Sequence, residues 1–269
     1  VVTAMSLMLA EPDDIIDGLT EHNIISVATL DDKEDVAKKF AKYDLLAIPV
    51  VDSENRLVGI VTVDDAIDVI EDEATEDMEV MAAITPTDKP YLKTGVFATW
   101  LARIPWLLLL MISATFTGKI IQHFEAALAA QVALTAFIPM LMDTGGNSGS
   151  QSSVSVIRAL SLGDIEMGDI LRVMWKELRV SVLCGVTLAV ANFGKMLLID
   201  RVSVTVALVV CLTLAVTVVC AKLIGCSLPI LAKRIGFDPA VMASPFITTI
   251  VDALSLIVYF NIATHLLRI

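Results

Sequence analysis

The sequence predicts an α-helical transmembrane domain of five spanning helices, preceded by a small α/β unit and a long acidic linker helix. Three observations carry that prediction. The 269 residues are 56% apolar with a mean hydropathy of +0.78, above the range of ordinary soluble domains. Charge is divided unevenly: residues 1–100 hold 22 acids and 7 bases, whereas residues 101–269 hold 9 acids and 12 bases. Short β-branched runs alternate with amphipathic stretches in the first part, and long apolar segments fill the second. An acidic soluble part repels phosphate, and no basic patch interleaved with aromatics occurs, so nothing supports a nucleic-acid partner. Cys184, Cys211, Cys220 and Cys226 lie in or beside apolar segments without zinc-type pairing, and read as small apolar residues in a reduced setting.

Taken in order, residues 1–22 read as a helix followed by the acidic connection Glu11–Asp17. Val1 falls inside what reads as a folded unit, so the chain is expected to be a fragment of a longer one. Ile24–Leu30 reads as a strand. Asp31-Asp32 caps a helix over Lys33–Tyr43, with Val36, Ala37, Phe40 and Ala41 inward. Strands Ala47–Val51 and Leu57–Val63 follow, joined by a turn over 52–56, and Asp64-Asp65 caps the next helix. In that helix Ile67, Ile70, Ala74, Met78 and Met81 form an apolar face, while seven acids between Asp68 and Glu79 cover much of the rest. Crowded carboxylates repel one another, and bound divalent cations relieve that; oxygen-rich surfaces suit Mg²⁺ or Ca²⁺.

Thr85–Pro90 is a linker. Five apolar segments then run over about Ile104–Ile121, Ala127–Met142, Val180–Ile199, Val204–Leu228 and Ala243–Leu266. The second continues into Asp143–Ser153, which holds Gly145, Gly146 and Gly149 and no bulky apolar residue. Backbone this polar survives at membrane depth only against protein or water, and Asp143, Asn147 and Gln151 share one helix face. Arg158, Arg172, Lys176, Arg179 and Lys233-Arg234 fall on one side of the five spans, which places the N-terminal part in the cytoplasm and the C-terminus outside. Lys119, Lys195, Lys222 and the three histidines read as snorkelled or solvated groups near segment ends.

The segment after Asp238-Pro239 organises the rest. It carries one acid, Asp252, well inside an apolar run, and Ser244, Thr248, Asp252, Ser255 and Tyr259 follow at spacings of four, four, three and four. One helix face therefore collects them, with Ile250, Val251, Leu254 and Ile257 turned mostly elsewhere. A carboxylate at that depth costs roughly 3 kcal/mol unless it meets a partner, a cavity or a cation.

The strand-helix-strand-strand-helix order, with Ile48-Pro-Val-Val-Asp52 and Leu57-Val-Gly-Ile-Val-Thr-Val-Asp64, resembles a CBS module. Together with Glu73-Ala-Thr-Glu-Asp77, Trp100-Leu-Ala-Arg103, Asp143–Gln151 and Phe237-Asp-Pro-Ala240 through Tyr259, the chain resembles the MgtE family of magnesium channels and transporters. The resemblance implies five divisions: 1–22, the tail of a truncated first CBS module; 23–66, a CBS module; 67–84, the acidic linker helix; 85–100, a connector; and 101–269, the transmembrane channel domain. It implies a homodimer in the bacterial inner membrane, surrounded by lipid, with a pore between subunits lined by segments two and five. It places Asp252, Thr248, Ser244 and Asn147 in that pore. It places regulatory magnesium sites on Asp32, Glu34, Asp44, Asp65, Asp68, Glu73, Glu76, Asp77 and Asp238. Asn147-Ser-Gly-Ser-Gln151 departs from the Asn-x-Gly-Asn-Gln that the family often has, and Asn is known in the family where Ser244 stands; both changes keep oxygen ligands.

The expected function is a magnesium-selective channel gated by cytoplasmic Mg²⁺, and not an enzyme. CBS modules also bind adenine nucleotides, so ATP is a further expected ligand, with Asp65 placed to meet a ribose. A carrier exchanging Mg²⁺ for H⁺ or Na⁺ is the nearest alternative. A nucleotide-sensing scaffold leaves the Asp252 face unexplained, and an intramembrane metalloprotease needs a His-Glu-x-x-His helix that the sequence lacks.

Overall fold

The computed structural model describes residues 1–87 and 89–268, and of Ser244 the backbone alone. Asp88, in the predicted connector, and Ile269 lie outside the described residues. The chain divides into two compact units, Val1–Thr75 and Glu76–Ile269.

In the first unit, α1 (Ala4–Leu9) is capped by Thr3, whose hydroxyl accepts from the Ser6 amide at 3.0 Å, and α2 (Ile16–Leu19) follows the acidic stretch. A three-stranded sheet comes next. β2 (Ala47–Val51) lies between β1 (Val27–Ala28), to which it runs parallel, and β3 (Leu57–Thr62), to which it is antiparallel. The predicted strand Ile24–Leu30 is cut to two residues. Asp31 ends it: its carboxylate accepts from the Ala28 amide at 3.1 Å and its own amide turns back onto the Ala28 carbonyl. That amide and the Lys39 ammonium hold the Asp31 carboxyl below the usual carboxylate range. Asp52 organises the turn into β3 by accepting from the amides of Glu54 and Arg56, both at 2.9 Å.

α3 spans Lys33–Tyr43 as predicted, N-capped by Asp32, which accepts from the Glu34 amide at 2.8 Å, and C-capped by Asp44 at φ 52°. Val36, Ala37 and Phe40 bury against Val27, Ile48 and Ala66, whereas Ala41 is exposed, just off the buried stripe. α4 (Val63–Met81) starts one residue before Asp64-Asp65, so these acids sit in its first turn, where they favour the helix dipole. Its inward face also differs from the prediction. Ala66 is buried and Val69 packs on the core, whereas Ile67, Ile70 and Met78 are exposed. The sheet covers a face one position removed from the most apolar one.

The second unit is helical. α5 (Val96–His123), α7 (Ile138–Ser161), α8 (Ile170–Leu198), α9 (Val204–Arg234) and α10 (Ser244–Leu267) are its long helices. Four stretches, those of α5, α8, α9 and α10, are long and apolar enough to cross a membrane. α7 does not reach that mark because glycines, serines and amides fill its middle. The predicted apolar segment Ala127–Met142 is not one helix. It is split into α6 (Glu125–Ala130), a 3₁₀ turn over Val132–Phe137 and the start of α7. Pro139 occupies the first turn of α7, where its missing N–H costs nothing. The polar run Asp143–Ser153 is thereby wholly helical, not a loop at the membrane edge. α8 begins ten residues before the predicted Val180, its entry held by reciprocal bonds between Glu166 and Asp169 and by an Arg172–Asp169 ion pair of 3.0 Å.

α9 is the buried scaffold, packing on α7, α8 and α10. Val206, Val209, Val210, Leu214 and Val218 meet Leu141 of α7, Met196 of α8 and Leu256, Tyr259 and Phe260 of α10. Tyr259 donates its hydroxyl to the Leu134 carbonyl at 2.9 Å, satisfying a polar tip that is otherwise fully buried. α5 has no buried residue and touches α10 through aromatic pairs, Trp106 edge-on to Phe246 at 5.9 Å and Phe124 stacked on Phe260 at 4.7 Å.

Where α7 crosses α9, the backbones nearly touch: a Cβ at Gly225 would collide with the Gly149 carbonyl. Gly225→Ala is therefore expected to lower stability by about 1–3 kcal/mol, as overpacked cores do. Gly194→Ala in α8, where a Cβ meets nothing within 4 Å, is not. Tyr259→Phe is expected to cost about 1 kcal/mol, because it removes a buried hydrogen bond between α10 and the turn that holds Leu134. Thermal unfolding of the detergent-solubilised chain checks all three.

Candidate functional site

The site is built on the crossing of α7 with α10. Gly145, Gly146, Ser148, Gly149, Ser152 and Ser153 form the buried face of α7. A Cβ on Gly145 would lie 2.9 Å from Val251 and 3.0 Å from the Ser255 hydroxyl; one on Gly146 would lie 3.0 Å from Thr248. Small residues let helices approach this closely without a side chain between them. Two polar bonds fasten the arrangement. Ser152 donates to the Glu177 carboxylate of α8 at 2.5 Å, and Ser153 to the Met242 carbonyl at 3.3 Å. Glu177 is the third acid on the long helices α5 and α7 to α10, beside Asp143 and Asp252, and one that the sequence pattern did not single out. Its signal was the glycine-and-serine face opposite, which requires a partner for its hydroxyls.

With that face buried, Asp143, Asn147 and Gln151 emerge on the exposed side of α7, as their spacing predicts. Asp252 and Thr248 are half-buried on α10. The charge of Asp143 is near enough to act on Asp252, so two carboxylates from different helices share one region. Thr248 donates its hydroxyl to the Pro245 carbonyl at 3.0 Å, which leaves its lone pairs available as acceptors. The side chain of Ser244 lies outside the described residues; its backbone opens α10.

The predicted polar face of α10 divides in two. Ser255 and Tyr259 are fully buried, Ser255 donating to the Val251 carbonyl at 2.6 Å and Tyr259 to Leu134. Val251, expected to turn away, is buried against the glycines of α7, while Ile250 and Ile257 are exposed. Ser255 and Tyr259 hold the bundle, and Thr248 and Asp252 stay half-buried. Lys222, expected to snorkel from a segment end, is instead buried near the middle of α9. The helix extends to Arg234, past the predicted Leu228, because Lys233 and Arg234 suit its last turn.

The nine predicted regulatory acids are already engaged in several ways. Asp32 and Asp44 cap α3, and Glu34 pairs with Lys38 at 2.8 Å. Asp65 accepts from the Thr62 hydroxyl at 2.8 Å, and Glu73 pairs with Lys33 at 3.0 Å. Asp68, Glu76 and Asp77 line α4. Asp238 caps the 3₁₀ turn before α10, accepting from the Ala240 amide at 2.8 Å. Among the described residues no three His, Cys, Asp or Glu side chains stand close enough to hold a metal ion. One chain thus brings these acids onto common helices but not into one coordination shell.

Comparison with known proteins identifies the family. The MgtE family model, described as a divalent cation transporter, matches residues 138–262, and the CBS domain model matches residues 15–72. The chain is 40% identical over 274 residues to the magnesium transporter MgtE of Thermus thermophilus, covering 100% of this chain and 59% of that protein. It is 39% identical over 272 residues to the magnesium transporter MgtE of Bacillus subtilis, covering 98% and 58%. To that of Enterococcus faecalis it is 33% identical over 270 residues, covering 100% and 58%. The chain spans less than two thirds of the length of these relatives. With a CBS domain ahead of long apolar helices, a half-buried acid inside the last of them, and 33–40% identity along the whole chain to these transporters, the chain belongs to the MgtE family.

Proposed function

We propose that the chain forms a magnesium-selective channel in the cell membrane, closed by Mg²⁺ binding to its cytoplasmic acids. The observation that carries this reading is Asp252: a half-buried carboxylate inside a helix long and apolar enough to span a membrane, within reach of the charge of a second acid, Asp143. The relatives' names, which state magnesium transport, support the choice of ion.

Mg²⁺ is small, prefers octahedral oxygen coordination and gives up its waters reluctantly. A pore for it therefore binds the hydrated ion with few charges. In a homodimer, Asp252 from two copies supplies those charges, while Thr248, Ser244 and Asn147 hydrogen-bond the waters. α7 is the fifth span in this reading, its polar face turned to the water-filled path and its glycine face to the bundle. The N-terminal unit lies in the cytoplasm and α10 ends outside, following the basic residues around α8 and at the end of α9.

Closure follows from electrostatics. The acids of α4 in two copies repel when bare and draw together when Mg²⁺ bridges them, and Asp238 at the start of α10 carries the effect toward the pore. A ligand shifts such an equilibrium only by binding one state better. A carrier exchanging Mg²⁺ for H⁺ or Na⁺ would show no discrete current steps in single-channel records, whereas the channel shows them.

Asp252→Asn keeps shape and loses charge. It is expected to cut Mg²⁺ uptake into proteoliposomes by about tenfold or more, with the protein still folded, because the ion then meets a neutral amide at low dielectric. Uptake at the parental rate would overturn the pore assignment. Replacing Glu73, Glu76 and Asp77 together by Ala is expected to let transport continue at internal Mg²⁺ concentrations that silence the parent. Unchanged inhibition would return α4 to the role of a solvated acidic helix.

A further inference from the structure

Lys222 is 5% exposed near the middle of α9, in a stretch long and apolar enough to cross a membrane. Among the described residues it has neither an ion pair nor a hydrogen bond. Snorkelling does not account for it: a lysine stem reaches about 6 Å, whereas the middle of a bilayer core lies about 15 Å from either interface. Its side chain instead lines a cavity of about 500 Å³ between α7, α8 and α9, shared with Asp143, Asn147, Ser148, Gln151 and Thr187. Asp143 is the one acid on that lining among the described residues, and it is also the acid whose charge acts on Asp252.

We propose that Lys222 is a tethered competitor of the permeating ion. Its ammonium and a hydrated divalent cation contend for the same oxygens, the carboxylate of Asp143 and the amide oxygens of Asn147 and Gln151. An amine that extends along the cavity to Asp143 offsets its charge. An arriving Mg²⁺ hydrate, with twice the charge, displaces the amine toward Ser148 and Thr187, whose oxygens accept its protons. The arrangement weakens ion binding on purpose. Two carboxylates near one another would otherwise hold a divalent cation too firmly, and conduction needs sites weak enough to leave. Single positive charge on a flexible stem suits this role; a guanidinium would hold the carboxylate in a rigid fork.

The inference rests on the pore reading of Asp252, and the test separates the two. Half-saturating Mg²⁺ for uptake into proteoliposomes is measured for the parent, Lys222→Met, Asp143→Asn and the double variant, with Asp252→Asn alongside. Lys222→Met is expected to lower the half-saturating concentration by about threefold to tenfold, the effect of removing one competing charge at short range. Asp143→Asn is expected to raise it, and in that background Lys222→Met changes nothing further. A folded Lys222→Met with the parental half-saturating concentration overturns the competitor role, as does an equal effect of Lys222→Met in both backgrounds. Should Lys222→Met fail to fold, Asp143→Asn decides alone: an unchanged half-saturating concentration overturns the proposal. Parental uptake by Asp252→Asn would remove the pore reading, whatever the lysine variants do.

Discussion

The helical unit depends on the close approach of α7 to α9 and α10. In hydrocarbon no water is present to satisfy stray polar groups, and helices gain little from burying apolar surface that lipid would cover as well. What remains is van der Waals contact, which grows as backbones come together. Gly145, Gly146, Gly149 and Gly225 supply that approach, and Ser152 and Ser153 turn the same face into hydrogen bonds to Glu177 and Met242. A helix so packed on one side has its other side decided. Asp143, Asn147 and Gln151 stand on it, so the polar face is a by-product of the packing.

The soluble acids obey a different constraint. Several of the carboxylates that the family resemblance assigns to magnesium already serve local structure, at helix ends, in turns or beside lysines. Those duties are compatible with an ion. A carboxylate has about four lone-pair sites, and an amide donor or an ammonium uses one or two of them. Divalent binding there would add to geometry that is already set, so the cost of ordering the ligands is small. The acids of α4 differ: seven of them crowd between Asp68 and Glu79, and their mutual repulsion is what an ion would relieve.

Much of this was legible in the residues. The bounds of α3 and β2 follow directly from caps, turn residues and periodicity, and the presence of long apolar helices from hydropathy alone. The second segment was misread because an apolar window was weighed above a local signal, Pro139 at the first turn of α7. Spacing also showed that Thr248, Asp252, Ser255 and Tyr259 share a face, but spacing cannot say how wide a neighbour's footprint is. α9 and the Val132–Phe137 turn cover the lower half of that face and leave the upper half open. Lys222 was hidden for a related reason: ending α9 six residues early moved a central lysine to the edge. The inward face of α4 was missed because the sheet selects by geometry, not by the largest apolar stripe.

α5 carries another consequence. It buries none of its residues fully, yet its half-covered positions, Trp106, Leu110, Ser113, Thr117 and Ile120, recur at intervals of three and four along one face. Two aromatic pairs, Trp106 with Phe246 and Phe124 with Phe260, mark the ends of that face, some 18 residues apart, and Ile120 and Ile121 pack on the core beside the second. The helix is keyed in rotation but only lightly clamped. On its outer face, side-chain size is left to whatever lipid or protein surface surrounds it, and sequence drift there is cheap. Along the shallow seam a lost ring would loosen one end of the rod before it disturbed the bundle.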